Sequence, residues 1–229
     1  EFLANPTPNW RLMLNAARTK AVRDQVPGVA FRSVASYIDD VYMNTDVGLA
    51  PVWWHQNTFG GREIGPYASF RPDWLRLSAL NGQVQPEVRK WRANLVTSYD
   101  FNEGVLEGFG VGGAYRWEDR SIIAYAPIKN EDGSSGVNLN APFYAPSNEF
   151  VDVWFSYRRK LTDRINWRIQ LNIYNLFGKN ELVPVNASVD AARVPDWESI
   201  TPTTEIPMRA SAFTIREGRS WTISNTFEF

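Results

Sequence analysis

The feature that most constrains this chain is a two-residue alternation of apolar and polar side chains, repeated in segments of about ten residues. Successive side chains of an extended strand point to opposite faces, so each segment carries one apolar and one polar surface. Asn9 to Arg18 sets Trp10, Leu12, Leu14 and Ala16 against Arg11, Met13, Asn15 and Ala17. Arg89 to Phe101 sets Trp91, Ala93, Leu95, Thr97, Tyr99 and Phe101 against Arg92, Asn94, Val96, Ser98 and Asp100. In Val105 to Trp117 the apolar face is Phe109, Val111, Gly113, Tyr115 and Trp117, while Gly108, Gly110, Gly112 and Ala114 leave the other face nearly bare. Those glycines suit a strand lying close to something packed against it, or a bend or bulge. Phe150 to Leu161 sets Val151, Val153, Phe155 and Tyr157 against Asp152, Trp154, Ser156 and Arg158. Ile165 to Phe177 sets Trp167, Ile169, Leu171 and Ile173 against Arg168, Gln170, Asn172 and Tyr174. Arg219 to Phe229 sets Trp221, Ile223, Phe227 and Phe229 against Thr222, Ser224, Thr226 and Glu228, with Asn225 interrupting the apolar face.

The connections alternate as well. Asn5-Pro6-Thr7-Pro8, Asn102-Glu103-Gly104 and Thr162-Asp163-Arg164 read as tight turns. Residues 19–88, 118–149 and 178–218 read as long connections holding most of the proline and polar residues, and Asp73 to Leu80 among them looks helical. Tight turns on one side and long loops on the other is the plan of bacterial outer-membrane barrels. With the tight turns facing the periplasm, Trp10, Tyr99, Phe101, Tyr157, Trp167, Phe227 and Phe229 fall at the periplasmic ends of the apolar face. Trp91, Tyr115, Trp117 and Trp221 fall at the external ends, and aliphatic side chains fill the middle. Two aromatic belts flanking an aliphatic band are what a bilayer's interfaces select. The one charge expected on this face, Arg159, lies at a periplasmic end, where its long side chain reaches the headgroups. A soluble antiparallel sandwich alternates too, but has no reason to collect rings at strand ends or to alternate tight turns with very long loops.

Composition narrows the function classes. Ten tryptophans in a chain of 229 residues with mean hydropathy -0.35 are better suited to a membrane interface than to a soluble core. No apolar run is long enough for a transmembrane helix, so only strands would cross a bilayer. A net charge of -1 leaves no basic field for nucleic acid. With no cysteine there are no disulfides, thiolate metal sites or thiol nucleophiles. The start, Glu1-Phe2-Leu3-Ala4, lacks the regions of a signal peptide and is expected to lie inside a longer protein.

Several stretches carry a family likeness. These are Asn5 to Leu12 with Leu14-Asn15, the glycine-spaced Gly104 to Gly113, Leu171-Asn172-Ile173-Tyr174-Asn175-Leu176-Phe177, and the closing Trp221 to Phe229. In these the chain resembles the last third of TonB-dependent outer-membrane receptors, the Asn-x-x-Asn-Leu-Phe stretch being the most specific. The resemblance implies an all-β antiparallel transmembrane barrel of twenty-two strands closed by an N-terminal plug. Residues 1–229 would then be the C-terminal portion of the barrel, about six strands, without the plug, the earlier strands or the TonB box. It implies a cell outer membrane location in a Gram-negative bacterium and import of a scarce nutrient (siderophore, cobalamin or glycan) bound at extracellular loops. The implied partners are outer-membrane lipid, the TonB complex acting through the plug, and the barrel-assembly machinery reading Trp221, Ile223, Phe227 and Phe229. The alternative is a passive porin or structural barrel without a plug; an outer-membrane enzyme would need its catalytic set elsewhere.

No catalytic set is expected in this chain. His55 is the single histidine, no Gly-x-Ser-x-Gly or phosphate-cradling glycine loop occurs, and no metal site or cofactor is expected. Asp39-Asp40 and Glu118-Asp119 read as loop polarity. The most site-like cluster is Val52-Trp53-Trp54-His55-Gln56-Asn57, with Phe59, Tyr67, Phe70 and Trp74 nearby. Trp53, Trp54 and His55 suit a flat polar ligand that stacks on rings and is fixed by a few hydrogen bonds. The same rings would also make a small core that orders a long loop. Arg11, Arg92, Arg116, Arg158 and Arg168 fall on the polar face, where they would steer an anion or bond a plug and neighbouring carboxylates.

Overall fold

Whether six alternating segments make one membrane surface depends on how they align, and a computed structural model supplies the registers. It describes residues 1–38, 58–59, 62–63, 66–131, 135–178, 180–196 and 199–229. The elements in chain order are β1 (Phe2–Thr7), β2 (Trp10–Arg18), α1 (Val29–Ser36), β3 (Thr58–Phe59), β4 (Arg62–Glu63), α2 (Pro66–Ala79), β5 (Trp91–Asp100), β6 (Phe109–Glu118), β7 (Ser121–Lys129), β8 (Ser135–Ala145), β9 (Asn148–Thr162), β10 (Ile165–Tyr174), β11 (Leu182–Val189), β12 (Met208–Ile215) and β13 (Ser220–Glu228). A seven-stranded sheet runs β1-β2-β5-β6-β9-β10-β13 in chain order. Every neighbouring pair in it is antiparallel. The fold is therefore all-β and antiparallel, as the alternation predicts.

From β2 to β13 the registers put the expected apolar side chains on one face, the one irregularity lying at Ile165/Asn166 beside the tight turn. Across β2, β5, β6, β9, β10 and β13, one row reads Trp10, Tyr99, Val111, Phe155, Leu171 and Ile223. The next reads Leu12, Thr97, Gly113, Val153, Ile173 and Trp221. A one-residue shift at any junction would turn the following strand inside out, so this agreement is a strong constraint. At the tight-turn end the rings touch. Tyr99 meets Phe101 at 4.9 Å between centroids, and Tyr157 meets Phe109 at 4.6 Å and Trp167 at 6.2 Å. Polar atoms on this face bond within the sheet: the Trp10 indole donates to Thr97 Oγ1 at 2.8 Å, and the Trp167 indole donates to Asn225 Oδ1 at 3.3 Å. Asn225, which breaks the pattern in sequence, thus accepts from the ring of the neighbouring strand and is not left bare in an apolar surroundings.

None of the described residues covers this face. Leu14 is 42% exposed, Ile223 54% and Trp221 66%. The buried apolar residues among those described, Ala35, Leu80, Ile123, Ala126, Ala145, Val183, Ile200 and Ile206, all lie in the long connections and none in the seven-stranded sheet. A sandwich buries its apolar face against a second sheet; this one buries nothing there.

Several expectations need correction. The segment Asn5–Pro8 is not a turn: Phe2–Thr7 is a seventh strand, and only Pro8 and Asn9 turn. Its register shifts between Ala4 and Thr7, and Pro6, lacking an N–H, sits in that irregularity. The turn expected at Asn102–Gly104 is longer and contains a 3-10 turn over Gly104–Leu106, so β6 starts at Phe109 and not at Val105. The strand expected to reach Phe177 ends at Tyr174. Arg159 is not the only charge on the apolar face. Arg18, opposite Trp91, and Glu149, opposite Trp117, share it at the long-loop edge, where Arg18 stacks 5.4 Å from the Trp91 ring. The long connections also carry structure of their own, including the β7–β8 and β11–β12 hairpins and helix α2, which starts before the stretch Asp73–Leu80 expected to be helical and ends at Ala79.

Candidate functional site

The opposite face of the sheet is polar and explains the glycines. Gly112 faces Ser98 on one side and Trp154 on the other, and a Cβ placed on Gly112 would overlap the Trp154 indole. At Gly108, with φ +87°, a Cβ would overlap the Arg158 carbonyl. The bare face of β6 is therefore filled by its own sheet neighbours, Trp154 above all. Beside it a polar chain runs along β10 and crosses to β13: Arg168 donates to Gln170 Oε1 at 2.8 Å, Gln170 to Asn172 Oδ1 at 2.6 Å, and Asn172 to Thr222 Oγ1 at 3.4 Å.

At the long-loop end this face opens into a cavity of about 550 Å³. Its floor is Arg116 and Phe150 of the sheet; its walls come from Ser121 and Ile123 of β7, Val183 to Val185 of β11, and Arg89 and Arg216 from the connecting segments. Arg116 and Arg216 each lie 5.3 Å from the Phe150 ring, so the ring is flanked by two guanidiniums. Each cation has a carboxylate. Arg116 pairs with Asp152 at 2.9 Å, Arg89 with Glu118 at 3.3 Å and Arg216 with Glu181 at 3.6 Å, while Arg92 reaches Glu118 at 3.4 Å. Arg216 is 8% exposed and also donates to Asn148 Oδ1 at 2.6 Å. Burial lowers the Arg89 guanidinium below the usual arginine range, opposed by Glu118 beside it. It nevertheless stays cationic, because arginine is so strong a base.

The loops forming this cavity are anchored to the sheet by Asn175. Its φ of +49° turns the chain out of β10, Asp152 Oδ1 accepts from its N–H at 2.9 Å, and its side chain donates to the Glu217 carbonyl at 2.7 Å. Asn tolerates the left-handed region better than any other residue with a polar side chain of this reach. The Asn-x-x-Asn-Leu-Phe stretch owes part of its form to this role. Chemically the cavity offers fixed cations, a ring and hydrogen-bond donors. Among the described residues no group of three or more His, Cys, Asp or Glu is placed to hold a metal.

No protein-family model matches the sequence, and no curated protein matches it. Solved structures do. The FpvAI–pyocin S2 complex matches at 13% identity and TM-score 0.43, over 99% of this chain and 18% of that one. FpvA of P. aeruginosa bound to a heterologous pyoverdine–iron complex gives the same figures. The siderophore receptor PiuA from Acinetobacter baumannii matches at 14% identity and TM-score 0.44, over 99% of this chain and 20% of that one. The chain spans about a fifth of the length of each of these matched chains.

The residues expected to matter divide by place. Trp53, Trp54 and His55 lie outside the described residues. Trp74, expected beside them, is described and packs on Phe31 of α1 with ring centroids 6.1 Å apart, a contact of the loop's own core. Trp221, Ile223 and Phe227 lie on the apolar face of β13, paired with Ile173, Leu171 and Trp167; Phe229 follows that strand and is 95% exposed. Of the arginines, Arg92 and Arg116 have carboxylate partners as expected, whereas Arg11, Arg158 and Arg168 gather at the opposite end of the polar face. Arg216 was not singled out in the sequence because it lies in a connection where nothing in the pattern marks a face, and Arg89 stood only as the first residue of the segment Arg89–Phe101, whereas β5 begins at Trp91.

Proposed function

We propose that residues 1–229 are the C-terminal, membrane-spanning part of an outer-membrane β-barrel belonging to a TonB-dependent receptor. The observation that carries this reading is the continuous apolar face of the seven-stranded sheet, belted by rings at both ends and covered by none of the described residues. In water such a face forfeits roughly 25 cal/mol for each Å² left uncovered, and a patch spanning several strands drives aggregation. Hydrocarbon removes that cost. Because every backbone polar group must be satisfied inside a bilayer, the outer edges of β1 and β13 pair with further strands in a closed barrel.

In this reading the tight turns face the periplasm and the long connections face outside. The cavity around Phe150, Arg116 and Arg216, together with the Trp53-Trp54-His55 stretch, belongs to the surface that meets a scarce nutrient such as a siderophore, cobalamin or glycan. Energy reaches the receptor from TonB through a plug domain, and no bond in the nutrient is made or broken. Trp221, Ile223, Phe227 and Phe229 serve the barrel-assembly machinery as a terminal signal as well as meeting lipid. Growth of a deletion strain on single iron–siderophore, cobalamin or glycan sources tests the transport reading. Loss of uptake of one source, restored by the intact gene, is expected; unchanged uptake of all of them contradicts it.

A further inference from the structure

We propose that a hollow on the polar face near the tight turns, bounded by Arg11, Arg158 and Arg168, is a binding site for an oxyanionic group, carboxylate or phosphate. Arg158 of β9 and Arg168 of β10 are directly opposed in the register. Like charges placed opposite each other on neighbouring strands repel and destabilise a sheet. Arg11, from β2, lines the same hollow of about 270 Å³. Two strands, β5 and β6, lie between Arg11 and Arg158, and the second brings no large side chain to this hollow: Gly108 and Gly110 line it, with Asp100 Oδ1 and Ser156 Oγ beside Gly110 and the Trp154 indole on one side.

Three cations face one carboxylate here. Asp100 is the single carboxylate among the lining residues, and it forms no ion pair with the three arginines. The Arg168 guanidinium bonds the neutral Gln170, and among the described residues none of the three has an acidic partner. At the other end of the same face Arg89, Arg92, Arg116 and Arg216 all have one. A guanidinium fork matches an oxyanion in plane and in hydrogen-bond spacing, and three of them around a glycine floor make a receptor for such a group. The group comes either from a dissolved small anion or from an acidic side chain of a protein segment seated against this face. The inference stands on the register and the charges, and is independent of what the protein transports.

The experiment uses the intact protein in detergent, at low salt, with Arg158→Gln and the Arg158→Gln/Arg168→Gln pair. Citrate and inorganic phosphate are titrated calorimetrically, and Tm is measured without added anion. If the source is dissolved, native protein binds citrate or phosphate and the double variant binds at least tenfold more weakly. If the source is a protein carboxylate, neither probe binds and Arg158→Gln lowers Tm, because a paired charge has been lost. An empty hollow gives the opposite sign: removing one of two facing cations relieves repulsion. No binding of either probe together with an unchanged or raised Tm overturns the proposal. Probe binding that the double variant leaves intact overturns it too.

Discussion

Leu171→Arg places a charge at the centre of the apolar face. Leu171 sits in the middle of β10, opposed by Phe155 on one side and Ile223 on the other, with no polar partner in its row. If hydrocarbon covers this row, a cation there costs roughly 2–4 kcal/mol, while near an interface the cost falls to about 0–1 kcal/mol. Two controls use the same strands. Asn172→Arg puts the charge one residue along, on the polar face, and Phe227→Arg puts it on the apolar face at the tight-turn end, beside Trp167 and in the zone where native Arg159 sits. Leu171→Arg should lower the folded-to-unfolded ratio by between about 30-fold and 700-fold. Asn172→Arg should lose far less, and Phe227→Arg an intermediate amount, since it also forfeits a ring. Urea titration of the intact protein folded into lipid vesicles, followed by tryptophan fluorescence, reads all three. Equal losses at Leu171 and Asn172, or a larger loss at Phe227 than at Leu171, would refute the reasoning, because neither face nor depth would then matter.

Gly112→Ala forces the Trp154 ring to move and should cost about 1–3 kcal/mol in the same titration; adding Trp154→Ala should recover most of it if the clash is the cause. Asn175→Ala removes the bond to the Glu217 carbonyl and leaves a φ of +49° without a residue suited to it, for a loss of about 1–3 kcal/mol, and Asn175→Gly should lose less than Asn175→Ala. Trp53→Ala with Trp54→Ala should weaken nutrient binding in an uptake or equilibrium assay without lowering the yield of folded protein. Normal affinity would remove those residues from the site.

The sheet was legible because a strand with one apolar and one polar face writes that difference into every second residue. Leu171 against Asn172 needs no knowledge of any other strand. Strand β1 escaped because Pro6 and a register shift interrupt it, and proline beside asparagine and threonine reads as a turn. The β7–β8 and β11–β12 hairpins escaped for a related reason. Both contain register shifts, and β7 carries Ile122 and Ile123 in sequence, so period two is lost. The glycines of β6 were visible as a demand for close approach, but the group approaching, Trp154, is on another strand and only the register brings it there. The same holds for the opposed Arg158 and Arg168. Each is an ordinary polar-face arginine in sequence, and their repulsion exists only once the strands are aligned. Asn175 stood out as part of a recognisable stretch, yet its φ and its hold on Glu217 depend on a segment far along the chain.

The chain has no cysteine, so single spin labels can be attached through introduced cysteines at residues 166 to 173 of the intact protein in bilayers, and collision with oxygen compared with collision with a nickel chelate. Oxygen dissolves in hydrocarbon and the chelate stays in water. Oxygen maxima are expected at Trp167, Ile169, Leu171 and Ile173, with minima at Arg168, Gln170 and Asn172, if every second residue of β10 meets hydrocarbon. Uniform accessibility along the strand, or maxima on the arginine-bearing face, would contradict it.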